Sequence, residues 1–149
     1  RFHEAKNTGA PVVTIWGTGK PKREFLHVDD MADACIHVMG LPKATYESAT
    51  SPMESHLNVG CGEDISIAEL AQTVAAVVGY TGEIQYDTSK PDGTPRKLLD
   101  VSRLASLGWK ARTSLDEGIR TTYRDFAAVW PTSSQQHGGS RYRLAELSS

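Results

Sequence analysis

Trp16-Gly-Thr-Gly-Lys-Pro-Lys-Arg-Glu-Phe-Leu-His-Val-Asp-Asp-Met-Ala32 runs from one β-rich segment, through a Gly/Pro turn, into a second β-rich segment and a helix start. Lys20, Lys22 and Arg23 crowd beside the Trp16 indole on backbone that Gly17, Gly19 and Pro21 turn tightly. Cations next to a flat aromatic suit an anion that also carries a ring, such as a nucleoside diphosphate. A solvated surface loop is the plainer reading, and these residues alone leave both open.

Outward from this stretch, Val12-Val-Thr-Ile-Trp16 predicts a strand and Glu24-Phe-Leu-His-Val28 a second short one. Asp29 caps a helix over 30–39, with Met31, Ala34, Cys35 and Val38 on one apolar face and Gly40 closing it. Upstream, residues 1–8 read as a helix tail closed by Gly9 and Pro11. Downstream, 41–55 is a polar excursion read as a surface loop, and Leu57-Asn-Val-Gly60 a brief strand. Ser66 and Glu69 form a capping box for a helix whose Ile67, Leu70, Ala71, Val74, Val77 and Val78 keep a helical period up to Gly79. Glu83–Asp87 alternates as a strand does, and Ser89–Lys97 is a turn-rich loop with three more cations, Lys90, Arg96 and Lys97. Asp100 caps a short helix ended by Gly108-Trp109. Ser114 and Glu117 form a second capping box for a last helix to about 130, with Leu115, Ile119, Tyr123, Phe126 and Trp130 on its face. From Pro131 the Ser/Gln/Gly-rich composition reads as a disordered tail. Strands alternating with helices place the chain in the α/β class.

Composition bounds the function. With 39% hydrophobic and 23% charged residues among 149, there is enough apolar side chain for a core. Sixteen cations against eighteen anions leave a net −2, so no bulk field draws the chain to nucleic acid or an anionic membrane, and any anion site must be local. No apolar run approaches a membrane span and no leader is apparent. Cys35 and Cys61 form no C-x-x-C pair and no disulfide framework, which points to a reducing compartment and the cytoplasm. The opening Arg1-Phe-His-Glu-Ala5 reads mid-helix without an initiator Met, so the chain is expected to be the C-terminal part of something longer.

Two motifs look catalytic and fail on detail. Gly60-Cys-Gly62 invites a dinucleotide reading, but the third glycine would be Ile65, and Glu63 and Asp64 put negative charge where a pyrophosphate would sit. It reads instead as a tight strand-to-helix turn. Tyr86 and Lys90 have the spacing of a helical Tyr-x-x-x-Lys pair, yet Tyr86 ends an alternating strand and Lys90 precedes Pro91. Tyr86 is expected to face the core. The histidines show no metal-ligand spacing, and His27 reads as a hydrogen-bonding structural residue. That leaves the two cationic loops, with Arg96 and Lys97 facing Lys20–Arg23 across a shared cleft and Trp16 and Asp92 beside them.

Arg23-Glu-Phe-Leu-His-Val-Asp-Asp-Met-Ala32, Leu57-Asn-Val-Gly60 with the Ser66 box, and Leu104-x-x-Leu-Gly-Trp109 followed by Ser114-Leu-Asp-Glu-Gly118 resemble the C-terminal part of extended short-chain dehydrogenase/reductases acting on nucleotide sugars. Arg1-Phe-His-Glu-Ala5, Trp16-Gly17 and Ser89–Val101 narrow the resemblance to the GDP-L-fucose synthase family. It covers residues 1 to about 130 and not the tail. It implies an NADPH-dependent epimerisation and reduction of GDP-4-keto-6-deoxymannose, a GDP-sugar partner and a homodimer. Arg1, Trp16, Arg23 and Asp92 match substrate-contacting positions, and Lys97 a lysine near the diphosphate. It also implies that NADP, the Tyr/Lys pair and the Cys/His pair belong to an absent Rossmann half. On this reading the chain carries substrate-binding residues and no catalytic ones, and roughly 23–40 packs on that half. Another nucleotide sugar (UDP- or dTDP-linked) and a non-catalytic nucleotide-binding fragment remain the alternatives.

Overall fold

A computed structural model describes residues 1–130; the tail reading for 131–149 lies outside them. Helix α1 (Phe2–Thr8) leads into strand β1 (Val12–Trp16), and the chain then turns into the two-residue strand β2 (Lys22–Arg23). Helix α2 spans Val28–Gly40 and α3 Lys43–Ala49. Strand β3 (Ile65–Ser66) abuts α4 (Ile67–Val78), followed by β4 (Glu83–Asp87), β5 (Arg96–Lys97), α5 (Ser102–Ser106) and α6 (Leu115–Val129). β1 and β4 pair in parallel, Val12 opposite Glu83 through Trp16 opposite Asp87. A parallel pair needs a crossover, and α4 lies on it. The second sheet has the order β3-β2-β5, antiparallel on the β3 side and parallel on the β5 side.

Two small cores result. Phe2, Ala5, Val13, Ala71, Ala75, Val78 and Tyr80 join α1, β1, α4 and the lead into β4, and Phe2 meets Tyr80 edge-on at 5.6 Å. Ala34, Leu104 and Trp109 form the other, flanked by Leu26, Val38, Leu57 and Val59. Fully burying a Leu-sized side chain is worth about 1.5–3 kcal/mol; Leu104, with 0% exposure, is the only large side chain so buried among the described residues. Lys6 ties the first core together by donating to the Val78 carbonyl at the end of α4, 2.8 Å away.

Several sequence expectations are corrected. Glu24–Val28 does not form a strand: the ladder stops at Arg23 and helix begins at Val28. A strand exists only beside a neighbour, and no described strand lies along Phe25 and Leu26. The N-cap is His27, not Asp29; its Nδ1 accepts from the Asp29 N–H at 3.3 Å. That is the structural hydrogen-bonding role expected of His27. α2 also runs through Gly40 rather than closing there, and its inward face is Asp30, Ala34 and Val38, while Met31 and Cys35 are exposed. Within 41–55, Lys43–Ala49 is a short exposed helix supported by a Lys43–Glu47 ion pair one turn apart. Leu57–Gly60 has no ladder, although Leu57 and Val59 pack on the second core. The Ser66 box is complete with both reciprocal bonds, whereas at Ser114 only the cap to the Glu117 N–H is present. Asp100 caps the backbone of Ser102 at 2.9 Å, so α5 starts one residue later than a simple Asp100 N-cap implies.

Candidate functional site

β1 and β4 run side by side and end together, which delivers their following loops, 17–21 and 88–95, to the same edge. From there the loops stay in contact along their length. The Gly17 N–H donates to Asp87 O at 2.9 Å. The Thr18 N–H and hydroxyl both donate to the Asp92 carboxylate, at 2.8 and 2.6 Å, and the Lys22 N–H donates to Pro95 O at 2.8 Å. The β2–β5 ladder then sets Lys22 opposite Arg96 and Arg23 opposite Lys97. The shared cleft expected of the two cationic loops is therefore a continuous seam. Gly17 sits at φ 81°, and a Cβ there would run into the Asp92 carboxylate, so the close approach requires glycine. Gly19, at φ 74°, lies under the Tyr86 ring, whose Cε1 would stand 2.5 Å from an added Cβ. Tyr86 is half-buried over this turn rather than in the core, and no helix joins it to Lys90.

At one end of the seam Trp16 is 65% exposed, an unusual placement for an indole. The Arg1 guanidinium lies 5.7 Å and the Lys90 ammonium 6.0 Å from its ring centre. Each such contact is worth about 0.5–1 kcal/mol at an exposed site. Arg1 Nη1 also donates to Thr14 O at 3.1 Å, which fixes the guanidinium against β1. At the other end, Arg23 Nη1 donates to its neighbour's carbonyl, Lys22 O, at 2.5 Å, and its Nη2 would stand 3.1 Å from a Cβ on Gly93. Arg1, Trp16 and Lys90 thus gather at one end, Arg23 and Lys97 at the other, and Asp92 stands between them. Lys90 is the residue that sequence reasoning discarded with the Tyr86 motif. Only its place in a cation-bearing loop marked it.

The cations divide by neutralisation. Because alternate residues of a strand face opposite ways, Lys22 and Arg96 share one face and Arg23 and Lys97 the other. On the first face Arg96 forms an ion pair with Asp64, whose side chain is 6% exposed. The Arg96 hydrogen bond and charge, with Lys22 nearby, hold the Asp64 carboxyl below its ordinary value. On the second face neither Arg23 nor Lys97 is in an ion pair among the described residues, and the same holds for the Arg1 guanidinium and Lys90. Asp92 is held below its ordinary value by the Thr18 hydroxyl and amide, with Lys20 adding to the effect, so it is ionised at neutral pH. Both its oxygens are engaged with Thr18, which makes it the clasp of the seam.

The Gly60-Cys61-Gly62 turn does not leave its Gly62 amide free for a ligand. The Gly62 N–H donates to the Glu24 carboxylate at 2.6 Å, and a Cβ on Gly60 would collide with the same group. Among the described residues no His/Cys/Asp/Glu cluster could hold a metal, and no helix is long and apolar enough to cross a membrane. An apolar groove of about 540 Å³ lies between α4 and α6, lined by Phe25, Val28, Leu70, Val74, Ile119 and Tyr123.

Residues 1–60 match the NAD dependent epimerase/dehydratase family. The chain is 60% identical over 126 residues to GDP-L-fucose synthase of Escherichia coli (strain K12), an alignment covering 85% of this chain and 39% of that protein. Over the matched residues the chain is GDP-L-fucose synthase-like and similar to the extended short-chain dehydrogenase/reductases. GDP-L-fucose synthase 1 of Arabidopsis thaliana is 52% identical over 83% of the chain and 35% of its own length. The chain therefore spans little more than a third of the curated relatives it matches. Among solved structures, the GDP-mannoheptose C4 reductase of Campylobacter jejuni with NADP bound superposes with a TM-score of 0.71 at 38% identity, over 85% of this chain and 42% of that one. These matches bear out the α/β class and the superfamily.

Proposed function

We propose that this chain is the nucleotide-sugar-binding part of a GDP-L-fucose synthase, the enzyme that epimerises and reduces GDP-4-keto-6-deoxy-D-mannose to GDP-L-fucose with NADPH. The observation that carries the reading is the seam, which joins exposed Trp16, with Arg1 and Lys90 against it, to Arg23 and Lys97, a pair without an ion-pair partner among the described residues. A nucleoside diphosphate has the matching parts: a flat ring for the indole end and a pyrophosphate for a guanidinium fork and an ammonium. On this reading Arg1, Trp16, Arg23 and Lys97 touch substrate, and Asp92 holds the two loops at the spacing the ligand needs. The names of the relatives and of the heptose reductase supply the GDP-sugar class.

The Gly60–Gly62 turn does not fit NADP. A dinucleotide needs free backbone amides at a glycine turn leading into a helix, and here the Gly60–Gly62 turn holds Glu24. We assign the cofactor, and the residues that move protons and receive hydride, to a nucleotide-binding part outside this chain. Residues 23–40 are then the docking side, and three features support this. Phe25 and Leu26 run without a strand partner, the apolar groove opens beside them, and α2 exposes Val28, Met31, Ile36 and Met39. The homodimer and the cytoplasm stay with the full-length protein in the same proposal.

Titration calorimetry of the 149-residue chain with GDP and UDP is the test. GDP binding at least about tenfold tighter than UDP, ~1.4 kcal/mol, is the expected result, with no NADPH consumption by the chain alone. UDP binding as well as GDP would move the reading to a UDP-sugar epimerase, and binding neither would end it.

A further inference from the structure

The small sheet that carries Arg23 and Lys97 has an intrinsic weakness. Each of its three strands is only two residues long, and the central one, β2, ends at Arg23. Two ladder rungs on each side do not hold a sheet of this size by themselves. The residue that follows, Glu24, sends its carboxylate to both flanks. Oε1 accepts from the Gly62 N–H at 2.6 Å, on the approach to β3, and Oε2 accepts from the Leu99 N–H at 3.0 Å, just past β5. Where the backbone ladder stops, one side chain continues it in both directions. A carboxylate accepting from backbone amides forms hydrogen bonds about twice as strong as neutral ones.

The Gly60-Cys61-Gly62 turn acquires a use by the same contacts. Its shape is that of an anion receptor, but the anion it holds belongs to the chain. Gly60 is half of that arrangement, because any side chain there would occupy the space of the Glu24 carboxylate. We infer that Glu24 is a positioning residue: seated in the Gly60–Gly62 turn and on the Leu99 amide, it fixes the β3-β2-β5 sheet and with it the spacing of Arg23 and Lys97. The inference rests on the nucleotide-binding reading only for what those two cations hold; the geometry of the sheet stands without it.

The experiment separates the two. In the 149-residue chain, NMR contacts between the backbones of Arg23 and Lys97, and of Arg23 and Ile65, report the sheet with no ligand present. Calorimetry with GDP reports the site. For Glu24→Ala the expected result is loss of both cross-strand contacts, GDP binding weakened about tenfold or more, and unchanged amide shifts in α1, β1, α4 and β4. Glu24→Gln, with the same reach but no charge and one oxygen acceptor, serves if the alanine variant does not fold. It is expected to shift one of the Gly62 and Leu99 amides and weaken GDP about threefold. Intact cross-strand contacts in both variants would overturn the inference, as would lost contacts with GDP affinity unchanged. A parent chain that binds no GDP would sink the nucleotide reading, and Glu24 would then be judged on the cross-strand contacts alone.

Discussion

Two arginines on one short ladder show how the same residue type divides between structure and site. Arg96 is in an ion pair with the nearly buried Asp64, while Arg23 is one register position away on the opposite face, bonded to a backbone carbonyl and in no ion pair among the described residues. If Arg23 holds phosphate oxygens, Arg23→Ala should weaken GDP binding by about ten- to a hundredfold, ~1.4–2.8 kcal/mol. Arg23→Lys should recover only part, because an ammonium cannot bond in a fork. Arg96→Ala should leave GDP affinity within about threefold, since its charge is already met by Asp64. Trp16→Ala removes the surface on which Arg1 and Lys90 rest, and about a tenfold loss is expected from two contacts of ~0.5–1 kcal/mol each. All four are read by the same calorimetric titration, and equal losses for Arg23→Ala and Arg96→Ala would deny the division.

At the scale of elements, the join between α2 and the segment leading to α6 includes one buried carboxylate. Asp30, 6% exposed, accepts from the Arg112 N–H at 3.3 Å and the Thr113 N–H at 2.9 Å. Burial pushes its carboxyl upward, but the Thr113 amide and hydroxyl, the Arg112 amide and nearby His27 outweigh that and hold it below the ordinary 3.8. A group depressed in the folded state contributes stability that is complete above its unfolded value and lost as pH falls through the folded one. The chain should therefore lose stability to urea as pH drops below about 4, and Asp30→Asn should flatten that dependence. Asp30→Ala, which strands two part-buried amides, should cost about 1–3 kcal/mol at neutral pH. Asp30 also shows where sequence reading stops. α4 was legible because Ser66, Glu69, the apolar period and Gly79 all act within one helix. The face of α2 was not, because Met31 and Cys35 are as apolar as Ala34, and which side is covered depends on contacts with Leu104 and Trp109 far along the chain. The strand expected at Glu24–Val28 failed for a related reason: its residues suit a strand, but no described strand lies beside them. In the site, glycines and cations marked both loops, whereas the Thr18–Asp92 clasp and the Glu24 anchor are long-range bonds that no local pattern announces.

For the whole molecule, the consequence is an apolar surface that the described residues leave exposed. Val28, Ile36 and Met39 are 71%, 70% and 85% exposed along α2, with Met31 at 42% on the same stretch. The neighbouring groove adds Phe25 and Leu26. Contiguous apolar patches beyond a few hundred Å² are rare on monomers and mark a surface that another body covers. If that body is a nucleotide-binding part outside this chain, the isolated chain must leave the patch wet or cover it with a second copy. Sedimentation velocity on the 149-residue chain should then show concentration-dependent association. Ile36→Lys with Met39→Lys should abolish it and leave the circular dichroism unchanged, because neither residue touches the two cores. The same pair should also block rebinding of a separately produced upstream part. Association that survives the double substitution would locate the contact elsewhere, and a chain that stays monomeric with α2 intact would remove the argument that this face is built to be covered.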